Sequence, residues 1–114
     1  MESCLFCRII GNESPADFVH QDDLVVAFKD RRPQAPVHLL IVPKKHIPTL
    51  NELAPEDTPL VGHMLQIAKK LAEQFSIHQK GYRTLFNVNA GAGQSVYHIH
   101  LHVLGGRMFS WPPG

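Results

Sequence analysis

The stretch Val96-Tyr97-His98-Ile99-His100-Leu101-His102-Val103-Leu104 sets a histidine at every second position from 98 to 102, with an apolar residue between each pair. Side chains of a β-strand alternate between its two faces. This pattern therefore predicts a strand over 96–104. Val96, His98, His100, His102 and Leu104 share one face; Tyr97, Ile99, Leu101 and Val103 share the other. The second face is apolar and needs a partner to bury it. The roots of the imidazoles stand roughly 6.6 Å apart along such a strand. Polar rings on a core strand cost free energy when buried unpaired, so their presence calls for a reason.

Working outward, Tyr82 to Val88 reads as the preceding strand. Between the two lies Asn89-Ala-Gly91-Ala-Gly93-Gln-Ser95, a glycine-bearing loop. Upstream, the longest helical pattern begins at Thr58, a good N-cap, with Pro59 suited to the first helical position. Leu60, Val61, Met64, Leu65, Ala68, Leu71, Ala72 and Phe75 then recur at helical spacing and are expected to form one core stripe. His63, Gln66, Lys69, Lys70 and Glu73 fall on the other side. Asp17 to Gln21 and Leu24 to Lys29 are short β-rich runs joined by Asp22-Asp23. His38 to Val42 is an apolar strand ended by Pro43, after a proline-bearing loop from Arg31 to Pro36. Leu5 to Ile10 suits a short helix, and Trp111-Pro112-Pro113-Gly114 an extended tail. About five strands, one long helix and a short N-terminal helix imply an α+β fold. In it the long helix covers one face of an antiparallel sheet.

The chain has 114 residues and a formal charge of +1, which suits one domain over 1–114 and gives no electrostatic footprint for nucleic acid or a membrane surface. No apolar run reaches the roughly 20 residues of a membrane span. Met1-Glu2-Ser3-Cys4 lacks the basic start of a secretory leader. Two cysteines at C-x-x-C spacing do not make a secreted disulfide framework. These features point to the cytoplasm.

Three readings compete for the histidine run. It is a solvent-facing strand side, a metal site on one strand, or a catalytic site acting on phosphorus. Imidazole is a common metal ligand. No Asp or Glu occurs after Glu73, however, which disfavours a mixed metal site and suits an anionic substrate. Gly91 and Gly93 let backbone amides approach an anion. Neutral imidazole attacks phosphorus at neutral pH without an activating base, and a flanking imidazole can protonate a leaving amine. The sequence therefore favours catalysis on phosphorus by a histidine nucleophile.

His98-Ile-His100-Leu-His102-Val-Leu resembles the histidine-triad (HIT) signature. Asp30, Pro33-Gln-Ala-Pro36, His38, Ile41-Val-Pro-Lys-Lys-His46, Asn87, Gly93-Gln-Ser-Val-Tyr-His98, Gly105-Gly106-Arg107 and Trp111-Pro-Pro-Gly114 extend the likeness to the Hint branch of that family. The resemblance implies a HIT-like homodimer with a continuous sheet, in which the tail carrying Trp111 reaches toward the neighbouring site. It also implies hydrolysis of purine nucleoside 5′-phosphoramidates to AMP or GMP, with no cofactor required. His100 is then the nucleophile. His102 and Ser95 contact the phosphate and leaving group, and His38 and His98 complete the histidine cluster. Asn87, Gly93 and Gln94 belong to the phosphate loop, and Asp30 to the ribose hydroxyls; read alone, Asp30 is a loop-capping residue.

Two alternatives stay open. One is a dinucleoside-polyphosphate hydrolase or nucleotidyl transferase of a sister branch. The other is a regulatory nucleotide-binding module. Cys4 and Cys7 are either free thiols or, as in relatives of the wider superfamily, partners of His46 and His98 in a structural zinc site. His20, His63 and His78 carry no expected role.

Overall fold

The computed structural model describes residues 3–114; Met1 and Glu2, which open the N-terminal segment read above, lie outside them. Five antiparallel strands form one sheet in the order β1-β2-β3-β5-β4. They are β1 (Phe18–Gln21), β2 (Val25–Lys29), β3 (Val37–Pro43), β4 (Tyr82–Leu85) and β5 (Leu101–Gly105). Helix α1 spans Leu5–Ile10 and helix α2 spans Thr58–Gln74. Asp22 makes the β1–β2 turn by accepting the backbone N–H groups of Leu24 and Val25 at 2.8 and 2.9 Å. No helix among the described residues is long and apolar enough to cross a membrane.

The alternation of the strands divides the core in two. Val25, Ala27, Leu39, Ile41, Leu101 and Val103 face α2, whose Met64, Ile67, Ala68, Leu71 and Ala72 are buried against them. Val26, Phe28, Leu40 and Val42 face α1 through Phe6 and Ile9. The sheet is thus the middle layer, and the short helix covers only part of its second face. Ile99, Leu101 and Val103 lie under α2 as their alternation requires.

Several expectations change. The last strand is Leu101–Gly105, not 96–104. Its ladder with β3 ends at the pair Ile41–Leu101, so the residues from Val96 to His100 run beyond regular pairing. Ile99 instead donates its backbone N–H to the Ile47 carbonyl at 2.8 Å. Tyr97 is 45% exposed rather than tucked under the helix. β4 stops at Leu85, before the loop. The cap position of α2 is Asp57, with Thr58 the first helical residue. Asp57 spends its carboxylate on the Ala54 N–H at 2.9 Å and the Lys45 ammonium at 2.6 Å, so it makes no side-chain cap. Leu65, placed in the core stripe by spacing, is 49% exposed, whereas Ile67 is buried. One residue is about 100° of helical turn, which carries Leu65 off the face centred on Met64, Ala68 and Leu71.

Candidate active site

An open cleft of about 1120 Å³ lies on the α1 face. Leu5, Phe6, Ile9, Phe28 and Leu40 make an apolar wall. Asp30, Asn87, Gly93, Ser95, His100 and His102 make the polar side. The sequence reading found the polar side and missed the wall. The available signal was the spacing of Leu5, Phe6 and Ile9 on one face of a short helix.

Hydrogen bonds fix the protonation of each ring, because a carbonyl oxygen only accepts. His100 Nδ1 is 2.8 Å from the His98 carbonyl, so Nδ1 carries the proton and donates it. His100 Nε2 therefore keeps its lone pair, and no group among the described residues occupies it. Phe6 packs edge-on against this ring, with centroids 5.0 Å apart. Burial is the main reason that the His100 pKa falls below the ordinary histidine range; the His98 carbonyl and Asp30 pull the other way. The ring is thus neutral at neutral pH.

His102 and His38 form a wired pair. The Gln34 backbone N–H donates to His38 Nδ1 at 3.0 Å, so the His38 proton sits on Nε2. That Nε2–H donates to His102 Nδ1 at 2.9 Å. The His102 proton is consequently on Nε2, a buried atom with no partner among the described residues, on a ring that lines the cleft. Burial first, then the nearby His100 and His38 rings, push its pKa down to about 4. Asp30 stands behind the pair with Oδ2 3.4 Å from His38 Nε2, while its Oδ1 accepts the Arg32 N–H at 2.8 Å. The loop-capping role of Asp30 is therefore real, and its second oxygen still reaches the site.

His98 departs from its expected place in the catalytic histidine cluster and meets the other expectation, grouping with Cys4, Cys7 and His46. It is fully buried and its ring does not enter the cleft. Its Nε2–H donates to the Pro43 carbonyl at 2.7 Å, which leaves Nδ1 as a bare lone pair. Burial, followed by its charged-state conflicts with His46 and His100, drives its pKa down to about 4 against the pull of that carbonyl. His98 Nδ1 points at Cys4 Sγ at 3.5 Å, Cys7 Sγ at 3.6 Å and His46 Nδ1 at 3.2 Å, and Cys7 Sγ lies 3.3 Å from His46 Nδ1. A tetrahedral zinc ion with ordinary bond lengths needs ligand separations of about 3.3 Å between nitrogens and about 3.6 Å between nitrogen and sulfur. The four separations just given fit those figures, and all four donor atoms lie within 4.8 Å of one another. The triad's three rings, in contrast, do not converge on one point: one faces the cysteines, one the cleft and one His38.

The loop residues divide as well. Gly93, at φ +84°, adopts the left-handed backbone that glycine accepts without strain. Its N–H is spent on the Ala90 carbonyl at 3.0 Å, so it is not a free anion donor. Ser95 is exposed on the cleft wall with neither backbone amide nor hydroxyl engaged among the described residues. Gln94, expected near the nucleotide, is instead buried as a loop staple. It accepts the Asn89 N–H at 2.8 Å and donates to the Pro48 and Val96 carbonyls at 2.7 and 3.1 Å.

Residues 3–110 match the family model described as scavenger mRNA decapping enzyme C-term binding. A purine nucleoside phosphoramidase of Escherichia coli K12 is 51% identical over 106 residues, spanning 93% of this chain and 89% of that protein. A HIT-like protein of Synechocystis sp. is 51% identical over 113 residues, spanning 99% and 98%. The crystal structure of a HIT family hydrolase from Legionella pneumophila superimposes with a TM-score of 0.97 at 55% identity, covering 98% of this chain and 100% of the other. With the triad, its wiring and its cleft all present, the chain belongs to the histidine-triad (HIT) family.

Proposed function

We propose that this chain is a hydrolase that cleaves the phosphorus–nitrogen bond of purine nucleoside 5′-phosphoramidates through a nucleotidyl-His100 intermediate. One observation carries the reading: the His98 carbonyl holds the His100 proton on Nδ1 and so leaves Nε2 free at the cleft. The chain's likeness to the purine nucleoside phosphoramidase of Escherichia coli and to the HIT family hydrolase of Legionella pneumophila supports this reading.

In this reading the base lies on the apolar wall beside Phe6 and Phe28. The α-phosphate meets His102 Nε2–H and Ser95, and the ribose approaches Asp30. His100 Nε2 forms a bond to phosphorus as the phosphorus–nitrogen bond breaks. The attacking ring becomes cationic, and the charge strengthens its Nδ1–H bond to the His98 carbonyl. The departing nitrogen takes one proton from solvent in the open cleft, while His102 Nε2–H stays on the phosphate. Water then attacks the same phosphorus, the bond to His100 breaks, and the nucleotide leaves with a proton returned to solvent.

Zinc fits the Cys4, Cys7, His46 and His98 donors as a closed structural site, where it would cross-link α1 to the triad segment. Two thiolate ligands are maintained in a reducing compartment, which accords with a cytoplasmic protein. The open edge of β4 and the 84% exposed Trp111 support the expected homodimer, with the tail directed to a neighbouring cleft.

The decisive experiment compares His100→Ala with the native chain on adenosine 5′-phosphoramidate and on a diadenosine polyphosphate. Turnover of the phosphoramidate should fall by about 10⁴-fold or more, as when a catalytic nucleophile is removed, while AMP still binds. Near-native turnover by the variant would refute the nucleophile. Faster cleavage of the polyphosphate by the native chain would move the assignment to the sister activity.

A further inference from the structure

The carbonyl that orients the nucleophile is not held by strand pairing, because the β3–β5 ladder ends at Leu101. Three ties hold His98 and Ile99 in its place. Ile99 N–H donates to Ile47 O at 2.8 Å. His98 Nε2–H donates to Pro43 O at 2.7 Å. His98 Nδ1 meets the two cysteines and His46 at 3.2 to 3.6 Å. Two of these ties run through one ring, whose own backbone carbonyl grips His100 Nδ1–H. A second route is parallel to the first. Phe6 stands between Cys4 and Cys7 in sequence and packs edge-on against both His98 and His100, at 6.0 and 5.0 Å. The cysteines therefore set the position of α1 and of the aromatic ring that braces the nucleophile.

We propose that the Cys4–Cys7–His46–His98 quartet is a positioning device for His100, closed by a soft divalent cation and acting through the His98 carbonyl and the Phe6 ring. The inference rests on reading His100 as the nucleophile and the quartet as a zinc site. A closed quartet holds the His98 carbonyl in line with His100 Nδ1. An open one leaves the carbonyl on two ties, and His100 turns away from the attack direction. Asp30, Asn87, Ser95 and His102, which meet the ribose and phosphate, make none of the quartet's contacts, so substrate binding survives. Remote groups that orient an active residue typically account for about ten- to a hundredfold in activity, and small misplacements of a reacting atom suffice for such losses.

The test uses the full chain, zinc alone as probe, and two readouts. Zinc is removed by chelation and restored one ion per chain, while nitrogen-labelled histidine reports the His100 Nδ1–H resonance. The zinc-loaded chain should show a slowly exchanging Nδ1–H signal that broadens or vanishes on chelation and returns with zinc. Cys7→Ser should lose the signal and about tenfold or more in kcat, with KM changed by less than about twofold. If Cys7→Ser fails to fold, the chelated native chain supplies the same comparison. Asp22→Asn, a remote and mildly destabilised control, should keep the signal and kcat. The proposal is overturned by a chain that takes up no zinc. It is equally overturned by loaded and chelated chains with the same resonance and the same kcat, or by a kcat loss that merely tracks the unfolded fraction. None of those failures touches the assignment of His100, which stands or falls on His100→Ala.

Discussion

Toward α2, the strands β2, β3 and β5 present Val25, Ala27, Leu39, Ile41, Leu101 and Val103, none more than 1% exposed. Toward α1, the same three strands present Val26, Phe28, Leu40, Val42 and His102, with a cleft of about 1120 Å³ beside them. The alternation is the same, but the covers differ. α2 is 17 residues long and closes its face with hydrocarbon; α1 is 6 residues long and leaves part of its face open. A short cover needs another means of fixing its place, and the cysteine–histidine quartet at its start provides one. Close packing on one side thus gives a rigid platform, and incomplete cover on the other gives room for a substrate. The two tasks are separated by the thickness of a single strand.

Substitutions on the packed face should therefore move stability and spare the chemistry. The largest such effect is expected from Leu71→Ala, which empties a fully buried position of α2. It should cost about 2–5 kcal/mol in urea unfolding, with kcat per folded molecule within about twofold of native. A parallel drop in kcat among folded molecules would break the separation of the faces. A smaller effect is expected where the platform is already full. A Cβ on Gly105 would lie 2.7 Å from Ile77 Cδ1 and 2.9 Å from Ile77 Cβ. Gly105→Ala should cost about 1–3 kcal/mol through overpacking. Ile77→Val in the same chain removes the nearest atom and should recover part of that loss. No recovery would show that the strain comes from the backbone rather than from this contact.

Much of this architecture was legible in the sequence because period and spacing carry it. The alternation of Ile99, Leu101 and Val103 identified the face under α2. The family likeness named His38, His100 and His102, and the geometry brings all three together. The strand limits at 96 and 88 were not legible. Alternation says which way side chains point, but pairing needs a partner, and β3 offers no ladder partner to the backbone of His98. Nor does spacing tell that Gln94 would be consumed by Asn89, Pro48 and Val96, since an amide side chain suits a ligand and a loop equally well. Leu65 was misjudged at the rim of a helical stripe, where one residue separates the core from water. The apolar wall escaped because Leu5, Phe6 and Ile9 read as ordinary core residues until the size of the uncovered face is known.

His20 and His63 sharpen the comparison from outside the site. Both were expected to be idle at the surface, yet His20 Nε2 and His63 Nε2 each meet Asp22 Oδ2, at 2.7 and 2.8 Å. These histidines have a carboxylate partner and tie the β1–β2 turn to α2, whereas those in the cleft face an open space meant for an anion. Partial burial raises the Asp22 pKa. The hydrogen bonds from His20, His63, Val25 and Leu24 outweigh it and hold the carboxyl well below the usual carboxylate range. The folded chain thus keeps this charge at a pH where the unfolded chain takes up a proton. The resulting stability is complete above a pH of about 4 and drains away as the pH falls further. Asp22→Asn should lower stability at pH 7 by about 1 kcal/mol, a modest figure because solvent screens a part-exposed site. Its unfolding free energy should also decline less steeply than that of the native chain below a pH of about 4. Urea unfolding across pH 2 to 7 reads both effects. Identical acid limbs in the two proteins would mean that the tie carries no stability, and that histidine-to-carboxylate contact on this surface is incidental.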